Sequence, residues 1–107
     1  MTISLEGYDL RKFLDAKREL YALWNNHFNG LICAYCSTNI SKKSEFKDSK
    51  ATVDHIIPRS LGGSSKMGNL VLSCQKCNEA KQSQNILPKY RNVFKNGKWI
   101  IIEAKSE

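Results

Sequence analysis

Along residues 9–28, DLRKFLDAKRELYALWNNHF, the apolar positions Leu10, Phe13, Leu14, Leu20, Tyr21, Trp24 and Phe28 recur mostly at three- and four-residue steps, with charges between them. That spacing predicts an amphipathic helix, with Asp9 as its N-cap and Gly30 where a helix stop is expected. Its aromatic side chains are expected in the core, and His27 is read as a surface or capping residue. The period then changes. ATVDHII (51–57) and NLVLS (69–73) are short apolar runs that predict strands. Between them PRSLGGSSKMG reads as a loop, because Pro58 cannot donate to a strand ladder and Gly62-Gly63 permits a turn closed to other residues. From Cys77 or Asn78 onward, NEAKQSQ predicts a helix lasting until about Pro88. In YRNVFKNGKWIIIEA, Asn96-Gly97 lies between Val93, Phe94 and Trp99, Ile100, which predicts a hairpin with a type I′ turn. STNISKKSEFKDSK (37–50) is polar and reads as a surface loop or hairpin. The expectation is one small α+β domain: a helix over 9–28, a central unit over 31–85 and a hairpin extension over 89–104.

The run at 51–57 contains an anomaly. Val53, Ile56 and Ile57 read as a buried strand, yet Asp54 and His55 stand in its middle. A carboxylate and an imidazole are unfavourable in apolar surroundings unless something there needs them. Neighbouring residues of a regular strand also point to opposite faces. For both to serve one site, the chain must bend or end there, at the mouth of the loop.

The cysteines fall as Cys33-Ala-Tyr-Cys36 and Cys74-Gln-Lys-Cys77. Two thiolates separated by two residues reach one tetrahedral ion at Zn–S distances of about 2.3 Å, and two such pairs leave no open position. In a reducing compartment this spacing favours a structural zinc over disulfides or unligated thiols. A redox pair is disfavoured by the second copy and by the absence of a strand–CxxC–helix setting around the first. Cys36 and Cys74 are separated by 37 residues, where zinc ribbons place about 15–20. The insertion carries Asp54 and His55, and a zinc at its base would hold strand, loop, strand and helix in register. A chain of 107 residues buries only about two-thirds of its unfolded surface, so such a brace is useful.

Charge adds a partner. Seventeen Lys and Arg against ten Asp and Glu give +7, which suits a polyanion such as nucleic acid, although the number alone is equally compatible with acidic lipid. MTISLEGYDL has no basic region followed by an apolar run, so no secretory signal is expected. No apolar run approaches the roughly 20 residues of a membrane span. A soluble protein of the reducing cytoplasm is the expectation.

The ordered set C-x2-C, VDHIIPRSLGG and GNLVLSCQKCNEAK, over about residues 31–83, resembles the HNH endonuclease family. The resemblance implies a ββα-metal fold, two antiparallel strands packed on a helix with one catalytic cation between them. The signature here reads His55, Asn69, Asn78, with Asn78 where the family often has His. It implies His55 as general base, Asp54 and Asn78 as ligands of the catalytic ion, and Asn69 as a supporting residue that ties the loop and orients His55. Oxygen ligands suit Mg²⁺ or Mn²⁺, distinct from Zn²⁺ on Cys33, Cys36, Cys74 and Cys77. Arg59 and Lys81 are candidate phosphate contacts, with solvated surface charge as the other reading of each. The basic residues Lys89, Arg91, Lys95 and Lys98 receive no site role. The implied activity is metal-dependent hydrolysis of DNA to 5′-phosphate and 3′-hydroxyl ends. One site handles one strand, so nicking is expected, and one small module offers few base-reading elements, so specificity is expected to be low. A monomer or weak dimer is expected, with a larger assembly possible. The alternative is a non-catalytic zinc module that binds nucleic acid or protein. RNA and branched substrates also stay open.

Overall fold

The computed structural model describes residues 2–82, 84 and 86–104, with side chains from Leu10 onward. Helix α1 spans Thr2–Phe28, followed by strands β1 (Ala51–His55) and β2 (Leu70–Cys74), helix α2 (Gln75–Lys81) and strands β3 (Tyr90–Lys95) and β4 (Lys98–Glu103). Among the described residues the result is an α+β arrangement with two α-helices and two antiparallel two-stranded sheets, β1–β2 and β3–β4.

α1 starts before Asp9, which is therefore inside the helix and not its cap. Gly7 costs about 1 kcal/mol against Ala in a helix interior, too little to end it. At the other end the left-handed residue is Asn29, at φ 54°, and the Gly30 N–H closes the turn on the Asn25 carbonyl at 3.3 Å. Asn tolerates that conformation, so the stop comes one residue before the glycine. Leu20 and Trp24 are fully buried and Phe13, Ala16, Tyr21, Leu23 and Phe28 are partly so, whereas Leu10 and Leu14 stay exposed. Burying a side chain of this size contributes about 1.5–3 kcal/mol, so Leu20 and Trp24 anchor the second half of α1 to the body.

β2 is buried at every position. It pairs with β1, and it also packs against α1, α2 and β3. This central position explains its unbroken Leu70-Val71-Leu72 run: a strand covered on both faces has no solvent side to mark with polar residues. Asn69 lies in a 3-10 turn just ahead of the strand and does not open it. α2 is shorter than the predicted helix and starts earlier. Its N-cap is Cys74, whose sulfur accepts from the Cys77 N–H. It ends at Gln82, at φ 51°. Positions 83 and 85 of the predicted helix lie outside the described residues. Ile86 and Leu87 are exposed, so a longer helix would have gained no buried face there.

The β3–β4 hairpin turns at Asn96 and Gly97, both at positive φ (53° and 79°), as a type I′ turn requires. Asn92 fastens it to the body. It is 2% exposed; its Oδ1 accepts from Trp24 Nε1, and its Nδ2 donates to the carbonyls of Met67 and Leu70, each at 2.8 Å. One amide thus joins α1, β3 and the entry to β2. Removing it leaves buried groups without partners, each costing about 1–3 kcal/mol. Asn92→Ala is therefore expected to lower stability by at least about 2 kcal/mol in urea titration of the zinc-loaded protein, and Trp24→Phe by less. Equal stability of Asn92→Ala and the parent protein would contradict this account of the join.

Candidate metal centre and nuclease site

The first cysteine pair lies on the turn after α1. Ala34 docks this turn on β2 by donating to the Leu72 carbonyl at 2.8 Å. Within the turn the N–H groups of Tyr35 and Cys36 point at the Cys33 sulfur, at 3.4 and 3.5 Å. The second pair is Cys74, the last residue of β2, and Cys77 in α2. All four sulfurs lie within 4.8 Å of one another, and Cys36 Sγ and Cys74 Sγ are 3.9 Å apart. Tetrahedral geometry at a Zn–S length of about 2.3 Å puts sulfurs about 3.8 Å apart. The four cysteines are thus placed to hold a metal ion, in an arrangement compatible with structural zinc. They are not disulfide-bonded. Burial raises the Cys33 thiol, but the backbone N–H groups around its sulfur outweigh it and bring it down to about 7. Burial pushes the Cys77 thiol up.

β1 presents two faces, and α2 packs on the one that carries Thr52 and Asp54. Asn78 donates its Nδ2 to Thr52 Oγ1 at 3.1 Å, and Lys81, one turn later, lies 3.3 Å from Asp54 Oδ2. Tyr35, from the cysteine turn, donates its hydroxyl to the same Oδ2 at 2.5 Å. Asp54 is 6% exposed and Lys81 3%. The predicted role of Lys81 as a phosphate contact is therefore corrected: its ammonium is buried against Asp54 and the His55 carbonyl, to which it donates at 2.8 Å. The helix register turns this lysine inward.

His55 takes the opposite face. Its ring stacks on Phe13 of α1, with centroids 5.5 Å apart and planes inclined at 25°, and its Nε2 is 3.0 Å from Ser65 Oγ. Burial lowers its pKa, and so do the charges of Arg59 and Lys81, against an opposing pull from Asp54. The ring is therefore held below the usual histidine range, which favours its neutral form. β1 ends at His55, so Asp54 and His55 are the last two residues of the strand, one on each face.

Asn69 belongs to the loop that follows β1. Its side chain accepts from the Ile57 N–H at 2.8 Å and donates to the carbonyls of Ile57 and Ser64 at 3.0 and 2.7 Å. Gly63 is required in this loop, since a Cβ there would lie 1.7 Å from the Ile57 carbonyl oxygen. The tied loop delivers Ser65 to His55. It also walls a cleft of about 340 Å³ lined by Lys12, Arg59, Gly63, Ser64, Ser65 and Lys66. Arg59 is thus brought to the His55 side, in company with two further cations. Phe13, Ser65, Tyr35 and Thr52 are the residues that sequence reasoning missed. Only Tyr35 carried a local signal, its place between two metal-binding cysteines.

A family model described as HNH endonuclease matches residues 33–95. No curated protein and no solved structure matches the chain. Among the described residues no helix is long and apolar enough to cross a membrane.

The sulfur cluster generates a direct expectation. Purified protein is expected to carry about one zinc per chain by atomic emission, and stripping it with a chelator is expected to unfold the chain, because binding energy at such a site is folding energy. Retention of the far-UV dichroism spectrum after complete zinc removal would contradict this.

Proposed function

The chain belongs to the HNH endonuclease family, a nuclease domain whose substrate is nucleic acid, and on that premise we propose that it is a divalent-metal-dependent enzyme that nicks DNA with little sequence preference. β1, β2 and α2 are read as the ββα-metal unit, with Asp54 and Asn78 as the ligands of the catalytic ion. The observation that carries the reading is the pair of oxygens left unengaged on the β1–α2 face. Asn78 uses its Nδ2 on Thr52, and Oδ1 of Asp54 and Oδ1 of Asn78 have no hydrogen-bond partner among the described residues. Two such hard donors fit Mg²⁺ or Mn²⁺, which complete their shell with water and substrate phosphate. When bound, the ion supplies Lewis acidity at the departing 3′ oxygen.

His55 is the general base. Held neutral, it takes a proton from the attacking water. With the hydrogen on Nε2, Ser65 accepts it, and Nδ1 keeps its lone pair for that proton. The stack on Phe13 restrains the ring. Water's oxygen adds to phosphorus, the bond to the 3′ oxygen breaks, that oxygen takes a proton from solvent water, and the products are a 5′-phosphate and a 3′-hydroxyl. A phosphate lying across the end of β1 reaches both faces there, which is how an adjacent Asp and His serve one reaction. Arg59, with Lys12 and Lys66 in the same cleft, attracts and orients the phosphodiester backbone. Contacts of this kind carry no base information and weaken with salt.

Supercoiled plasmid incubated with Mg²⁺ or Mn²⁺ is expected to become open circles, with His55→Ala slower by about a hundredfold or more. No conversion by either protein would overturn the proposal and leave a zinc-containing binding module. Arg59→Ala is expected to weaken DNA binding and to reduce the slope of log affinity against log salt by about one, measured by fluorescence anisotropy across salt concentrations. An unchanged slope would remove Arg59 from the interface.

A further inference from the structure

The two oxygens of Asp54 have different surroundings. Oδ2 accepts the Tyr35 hydroxyl at 2.5 Å and faces the Lys81 ammonium at 3.3 Å. Oδ1 has no partner among the described residues. No buried side-chain oxygen or nitrogen among them lacks one, so Oδ1 must keep contact with solvent. One oxygen of the carboxylate is fastened inward and the other is not.

A buried Lys–Asp pair is poor evidence for stability, since desolvating two charges offsets most of their attraction and well-packed apolar residues often do as well. What this pair does achieve is orientation. Tyr35 comes from the turn between Cys33 and Cys36, and Lys81 follows Cys77 by one helical turn, so the sulfur cluster anchors both donors. Lys81 also holds the His55 carbonyl, which ties the backbone of the general base to the same point.

We propose that Tyr35 and Lys81 are positioning residues that occupy Oδ2 and leave Asp54 able to ligate only through Oδ1, and that this one-oxygen contact selects a small octahedral ion over calcium. The inference rests on the hydrolysis reading above. Mg²⁺ demands near-octahedral geometry at about 2.0–2.1 Å, whereas Ca²⁺ takes six to eight oxygens at about 2.3–2.6 Å and gains from carboxylates that ligate with both oxygens. Freeing Oδ2 offers the larger ion the second contact that the native site withholds.

The test is metal binding by the zinc-loaded protein, with Mn²⁺ followed by electron paramagnetic resonance and Ca²⁺ by competition, in the parent protein, Asp54→Ala, Tyr35→Phe and Lys81→Met. Zinc content and far-UV dichroism establish folding. The parent is expected to bind Mn²⁺ more tightly than Ca²⁺, and both positioning variants are expected to lower the Ca²⁺ to Mn²⁺ ratio of dissociation constants by about tenfold, a size usual for groups that orient metal ligands. A purely structural role would lower melting temperature and leave the ratio at the parent value, which overturns the inference. Where Lys81→Met does not fold, the nearly isosteric Tyr35→Phe decides. If Mn²⁺ binding is the same in Asp54→Ala as in the parent, the hydrolysis reading itself fails. If Asp54→Ala abolishes binding and the ratio stays fixed in the folded positioning variants, only the selection by Tyr35 and Lys81 fails.

Discussion

Four sulfur atoms drawn to one point set the geometry of the candidate site. They join the turn after α1, the end of β2 and the start of α2, across 37 intervening residues between Cys36 and Cys74. The scale of that closure decides its importance. Structural zinc contributes about 10–16 kcal/mol in small metal-binding peptides, while whole domains are stable by only about 5–15 kcal/mol. The apolar core around Leu20, Trp24 and β2 is genuine but small. With the sulfurs gathered, Tyr35 and α2 approach β1 from fixed directions, and the inserted strand pair with its loop is held over them.

Chemistry is then divided across the thickness of one strand. On the α2 face, Asp54 and Asn78 offer hard oxygens. On the other, His55 is clamped between Phe13 and Ser65, at the edge of a cationic cleft. The sulfur cluster lies on the same side as Asp54, since Tyr35 of its first turn and Lys81 of α2 both reach that carboxylate. The two faces of β1 separate the Asp54 carboxylate from the His55 ring. Asp54 favours the charged imidazole, but burial and the Arg59 and Lys81 charges prevail. Lys81 links the two faces, because a single ammonium bonds the carboxylate and the carbonyl of the neighbouring histidine.

Much of this was legible in the sequence, for identifiable reasons. The two cysteine pairs carry their geometry in their spacing. Asp54 and His55 stand out because charge interrupts an apolar run, and Asn96-Gly97 names its own turn. What was not legible depends on tertiary facing. Nothing local says that Lys81 turns inward, since its direction is set by a helix that starts at Gln75, and a cysteine sulfur acting as its cap is outside the usual set of capping side chains. Phe13 reads as one more residue of the α1 stripe until the ring of His55 is seen against it. Asn92 looks like an ordinary strand residue, and only the meeting of α1 with the hairpin makes it a buried junction. Leu10 and Leu14 keep the helical period without being buried, because periodicity records which face is apolar and not how far the body extends beneath it.

Two metals of different character are expected in two different places. The most direct test is anomalous diffraction from crystals of the zinc-loaded protein soaked in Mn²⁺, with data collected at the zinc and manganese edges. The expected maps show zinc among Cys33, Cys36, Cys74 and Cys77, and manganese against Oδ1 of Asp54 and Oδ1 of Asn78. Manganese found elsewhere or bound through neither residue, or zinc absent from the sulfurs, would contradict it.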